Sequence, residues 1–216
     1  VSDGKRIFVF TGHRLMSAFD LEGKRLWQVY HHESGIPWGA STEYAGHSPL
    51  VVGDRVLMHF LIEGKGENLG LRCYDAATGR VLWTMPTEQL PHNAMGSPVV
   101  LRLPTAGGGM EPAVFCFSGE LIRVRDGAVL ARKIGYGKRC AGFTGDGVDR
   151  IFMACGWHGG GTRMADETWV AEGRFGIDRA KAPLWQGQCL NLAVRFVLRG
   201  DVAEPTLLWA ERGGPD

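Results

Sequence analysis

Two stretches of the chain are near-copies of each other: "LMSAFDLEGKRLWQV" at 15–29 and "LRCYDAATGRVLWTM" at 71–85. Each reads as strand, tight turn, strand, with Asp, Gly, a basic residue and Trp held in register. Their aspartates, Asp20 and Asp75, stand 55 residues apart. Tandem recurrence at such a period narrows the folds open to the chain. Each copy is one supersecondary unit that cannot bury its apolar face alone, so its neighbours must cover it.

Other landmarks repeat with the hairpin. Ser-Pro precedes an apolar run at Ser48-Pro49 and again at Ser97-Pro98. A turn, an arginine and an apolar run recur at Arg6, Arg55 and Arg150, with one copy skipped or degraded between the last two. A decayed third hairpin stands in "IRVRDGAVLARKI", where the reading keeps Asp126 as the aspartate and finds Ala131 in place of tryptophan. The second unit resolves into four expected strands at 49–52, 55–60, 71–75 and 80–85, linked by tight turns at Gly53-Asp54 and at Asp75–Gly79. The 32 glycines and 10 prolines suit many short strands and turns. The expected fold is therefore all-β, a β-propeller of four-stranded antiparallel blades, with about four blades visible. A β-sandwich is the alternative, but it does not require one register to recur. The blades are expected at about 1–30, 47–86, 96–135 and 140–209 of a single segment, 1–216. Two endings compete for the last blade, one closing on Trp185 and the other on Trp209.

The hairpins resemble the tryptophan-docking motif of the pyrroloquinoline-quinone (PQQ)-like β-propeller repeat family, Ala-x-Asp-x-x-x-Gly-Lys/Arg-x-x-Trp. Asp75, Gly79, Arg80 and Trp83 match it, with Cys73 where the family has Ala. Ala18, Asp20, Gly23, Lys24 and Trp27 match it with a turn one residue shorter. The resemblance implies that each indole packs on the neighbouring blade, so that Asp20, Gly23, Trp27, Asp75, Gly79 and Trp83 form a structural docking motif. Such propellers close with six to eight blades, which makes this chain, by resemblance, part of a longer protein with the rest of the propeller missing.

Strand alternation sorts the connections onto two rims. One rim carries only short Gly-Asp and Asp-x-x-x-Gly turns. The other carries the long segments 28–47, 61–70, 86–96 and 155–169, with six of the seven histidines. His32, Trp38, His47, His92, Trp157 and His158 are the candidate binding residues there. No HxH or HExxH spacing points to a metal, so neither a metal nor a catalytic residue is assigned. "HGGG" at 158–161 lacks the G-x-S-x-G nucleophile elbow of an esterase, and "GFTGDG" at 142–147 lacks the Lys-Ser/Thr of a P-loop. "GGGM" at 107–110 reads as a flexible linker.

Lys plus Arg is 24 against Asp plus Glu at 23, so no charge excess calls for nucleic acid. No apolar run reaches membrane-spanning length. The five cysteines contain no CxxC and no adjacent pair. The expected function is a non-catalytic scaffold or binding platform for protein or carbohydrate, like the outer-membrane-assembly propeller lipoproteins of the family, with no cofactor. The alternative is a fragment of a PQQ- and calcium-dependent quinoprotein dehydrogenase. Those enzymes carry an adjacent Cys-Cys pair, a Trp floor and Asp, Asn and Glu calcium ligands; this sequence has no adjacent cysteines, and no Asp, Asn and Glu set in it can be aligned to the calcium ligands. The resemblance implies a periplasmic or cell-surface location.

Overall fold

The computed structural model describes residues 1–11, 15–30, 48–60, 70–86, 97–116, 119–132, 134, 140–155 and 189–213. They form four antiparallel meanders, the blade unit of a β-propeller, and no helix occurs among the described residues. The first sheet holds β1 (Arg6–Thr11), β2 (Leu15–Asp20) and β3 (Arg25–Tyr30). The second holds β4 (Leu50–Val52), β5 (Arg55–Phe60), β6 (Gly70–Asp75) and β7 (Val81–Met85). In the third lie β8 (Val99–Pro104), β9 (Met110–Cys116), β10 (Glu120–Arg123) and β11 (Val129–Ala131). The last consists of β12 (Cys140–Gly145), β13 (Arg150–Cys155), β14 (Cys189–Arg199) and β15 (Val202–Gly213). In every sheet each strand pairs with its sequence neighbour.

The first sheet has three strands rather than the expected four. Residues 1–3 supply a short stub in the fourth position: Ser2 bridges Ile7, and the Phe8 N–H donates to the Val1 carbonyl at 2.8 Å. Arg6, Arg55 and Arg150 open β1, β5 and β13, where they stand opposite Asp20, Asp75 and Arg195, and Ala113, opposite Arg123, holds that place in the third sheet. The missing landmark is thus a degraded copy, since the strand itself is present as β9. The preceding "GGGM" is an ordered hairpin turn, which corrects the linker reading. Thr105 N–H donates to the Gly109 carbonyl at 2.9 Å, its hydroxyl accepts from Gly109 N–H at 3.0 Å, and Gly108 takes φ 79°. Three glycines read as flexible from composition, yet a closed turn needs one of them in the left-handed region.

The chain divides into two compact units, Val1–Leu90 with Val124–Gly127, and Pro91–Arg123 with Ala128–Asp216. The core of the first is built from Phe8, Met16, Ala18 and Trp27 of the first sheet against Val56, Met58, Tyr74 and Ala76 of the second. In the second unit, Leu101, Phe115 and Leu121 meet Ile151, Leu192 and Phe196. Alternating apolar residues on paired strands give each sheet a face that only another sheet can cover.

Candidate binding rim and the tryptophan docking sites

Within each sheet a meander sends alternate connections to opposite ends. At one end all the connections are short and closed by hydrogen bonds. Asp75 N–H donates to the Arg80 carbonyl and Asp20 N–H to the Lys24 carbonyl, both at 2.9 Å. Carboxylates finish these turns, because a short acidic side chain can accept the N–H groups that the bend leaves unpaired. Asp75 Oδ1 accepts from Ala77 N–H, Thr78 N–H and the Thr78 hydroxyl at 2.8–3.1 Å. Asp146 Oδ1 accepts from Val148, Asp149 and Arg150 N–H at 2.8–3.1 Å. Asp3 accepts from Lys5 and Arg6 N–H and pairs with the Arg6 guanidinium at 2.7 Å.

These bonds hold carboxylates ionised. The Thr78 hydroxyl and N–H, followed by the Ala77 N–H and the Arg80 charge, keep the Asp75 carboxyl below the ordinary 3.8. At Asp146 burial pushes the value up, but the N–H groups of Val148, Arg150 and Asp149 and the Arg150 charge outweigh it. At Asp3 burial likewise raises, and Lys5 N–H and the Arg6 side chain outweigh it. A carboxyl depressed in the folded state stabilises above its unfolded pKa, and this stabilisation fades as pH falls through the folded value. The melting temperature will therefore stay level down to about pH 4 and decline below it. Asp75→Asn will flatten part of that decline in a calorimetric pH series, and an unchanged slope would contradict the assignment.

The same turns receive the tryptophans. Trp27 on β3 donates its Nε1 proton to the Ala76 carbonyl at 3.0 Å, and the indole lies flat on Gly79. A Cβ at Gly79 would stand 2.6 Å from Trp27 Cδ2, and its φ is +74°. Glycine is needed there twice over, for the left-handed backbone and for the close approach of a ring. Phe8 and Tyr74 flank the indole at centroid distances of 6.0 and 6.4 Å. Trp83 repeats the arrangement. Its Nε1 donates to the Val124 carbonyl at 3.0 Å, and a Cβ on Gly127 would meet its Cδ2 at 2.8 Å. A large aromatic body with one polar tip suits such a seat, where the proton finds a carbonyl and the ring is buried.

The third hairpin is registered differently from the sequence reading. Arg123 N–H donates to the Ala128 carbonyl at 2.8 Å, the bond that Asp75 makes to Arg80. Arg123 therefore holds the aspartate's place, and Asp126 sits one residue before the glycine. Ala131 does occupy the tryptophan's place, opposite Leu121, whereas Trp27 and Trp83 stand opposite Ala18 and Cys73. Large and small have exchanged strands. In the second unit a longer hairpin supplies the missing bulk. Past Ala193, which pairs with Trp209 as Cys73 pairs with Trp83, β14 runs six residues further, against two for β6. Ala203 and Leu207 of this overhang pack in one core with Leu130 and Ala131, and Asp201 at its tip forms an ion pair with Arg123. Of the two endings left open, Trp209 lies on β15, while Trp185 falls outside the described residues.

The long connections leave the other end of the sheets: 31–49, 61–69, 86–98 and 156–188. His32, Trp38, His47, His92, Trp157 and His158 all lie on them, outside the described residues. Among the described residues no group of three His, Cys, Asp or Glu could hold a metal ion. Burial pushes the Cys73 thiol up to about 11, and drives that of Cys116 well above its ordinary value. Thiols held protonated in this way are poor nucleophiles. No described helix is long and apolar enough to cross a membrane.

No protein-family model and no curated protein matches the chain. Among solved structures it is similar to Hsv2p of Kluyveromyces lactis, at TM-score 0.41 and 10% identity over 99% of this chain and 71% of that one. It is also similar to BamB from Moraxella catarrhalis, at TM-score 0.45 and 14% identity over 97% of this chain and 50% of that one. The chain spans half the length of the Moraxella protein.

Proposed function

We propose that the chain is a non-catalytic β-propeller scaffold that binds a protein partner through its long connections. The observation that supports this reading is the division between the two ends of the sheets. The short turns after β2, β6, β8, β10 and β12 are closed by their own hydrogen bonds, and those after β6 and β10 also carry a docked indole, so these turns serve the fold. The long segments concentrate His, Trp and Glu in the sequence, and rigid scaffolds present recognition residues on such loops. By the PQQ-like resemblance the platform would work in the periplasm or at the cell surface.

Two measurements test this. Trp38→Ala and Trp157→Ala should weaken binding of a partner found by in-cell cross-linking while leaving the melting temperature unchanged. A large fall in melting temperature would make them core residues and remove the reading. Incubation with PQQ and calcium should give no dye-linked oxidation of alcohols or sugars. Calcium-dependent dye reduction would replace the platform with a quinoprotein dehydrogenase.

A further inference from the structure

Three of the five cysteines meet at one corner of the last sheet. Cys140 opens β12, Cys155 ends β13 and Cys189 opens β14, all at the end from which the 156–188 connection leaves. The other two, Cys73 and Cys116, are free and buried in other sheets.

Register separates the three. Cys140 stands directly opposite Cys155 in the antiparallel pairing of β12 with β13. On its other side Cys155 stands opposite Leu190, so Cys189 is one residue out of register and, by strand alternation, on the opposite face. A bulge makes the first pairing. Gly142 pairs with Ala154, and an unbroken ladder would next set Ala141 against Cys155. The register shift between Cys140 and Gly142 passes over Ala141 and brings Cys140 there instead. Bulges re-aim residues in this manner. Facing residues on antiparallel strands have Cα atoms about 4.5–5.5 Å apart, inside the range of about 4.4–6.8 Å that a disulfide spans. Cys155 shares its face with Ile151 and Met153, which are buried in the core of the second unit, so the pair stands at the edge of that core.

We infer that Cys140 and Cys155 form a cross-strand disulfide that staples β12 to β13 where the 156–188 connection departs, leaving Cys189 a thiol. The bond forms by exchange with a small-molecule or protein disulfide. The two thiols give up two protons and two electrons, their sulfurs join, and the oxidant leaves as two thiols. Cys73 and Cys116 stay out of this chemistry because burial holds their thiols protonated. The two linked residues are 15 apart in sequence, so the bond restricts the unfolded chain and stabilises the second unit.

Peptide mapping tests it. The full chain is equilibrated with glutathione and an excess of glutathione disulfide, its remaining thiols are alkylated under denaturing conditions, and it is cut with trypsin without reductant. Cleavage after Arg139, Arg150 and Arg163 should give peptides 140–150 and 151–163 joined, with Cys73, Cys116 and Cys189 alkylated. Reduction should lower the melting temperature of the second unit by about 5 °C or more. Cys140→Ser should abolish that shift and Cys189→Ser should leave it intact, with Cys155→Ser in reserve if the first variant fails to fold. A bridge from 151–163 to 182–195, pairing Cys155 with Cys189, would overturn the proposal. So would alkylation of all five thiols, or a shift on reduction that survives Cys140→Ser.

Discussion

Trp27→Ala will destabilise the first unit by about 3–5 kcal/mol, the usual loss for emptying an aromatic site. It lowers the melting temperature of that unit by more than about 10 °C. The indole is nearly enclosed, is flanked by Phe8 and Tyr74, and satisfies the Ala76 carbonyl, so its removal opens a cavity and strips a buried acceptor. Gly79→Ala should cost a comparable amount from the other side, because the new methyl would stand 2.6 Å from the ring in a backbone region that alanine disfavours. The double variant is the discriminating measurement. With the ring gone the methyl has room, so the two losses will fall well short of their sum. Full additivity in thermal or urea unfolding would mean that the glycine serves only its own turn.

Leu121→Ala will cost about 2–5 kcal/mol and Ala131→Trp about 1–3 kcal/mol, the first by a void and the second by overfilling. The two residues face each other on β10 and β11, both in the core of the second unit. Exchanging both restores the small-against-large order found at Ala18 with Trp27 and at Cys73 with Trp83. The double variant should be more stable than either single one, yet below wild type, because Ala203 and Leu207 already share that core. Unfolding at a denaturant series reads all four proteins. A double variant that loses the full sum would show that the exchange across these strands is unrelated to the tryptophan's absence.

The repeated hairpins were legible because their signal is local. Asp, Gly and Trp at fixed spacing report one turn and one strand, and the expected strands of the second unit coincide with β4–β7 within a residue. Local identity misled where the turn changed chemistry. Asp126 looked like the aspartate of the third copy, but only the backbone bond from Arg123 to Ala128 reveals the register. The long β14–β15 hairpin had no such spacing. Trp209 stands nine residues after Gly200, against four from Gly79 to Trp83, and only cross-strand pairing with Ala193 discloses the equivalence. The double duty of Gly79 was equally hidden, since positive φ is visible in a turn pattern and a ring arriving from 52 residues earlier is not. The histidines and tryptophans of the candidate rim lie outside the described residues.

Each indole leans forward, onto a turn that is synthesised later than itself. Assembly along the chain consequently has a direction. A nascent chain released after β3 would hold Trp27 with nowhere to sit, whereas a chain lacking the first sheet would leave only an empty seat at Gly79. Truncation from the carboxyl side should thus expose sticky surface to chaperones and proteases, and truncation from the amino side should be the gentler injury.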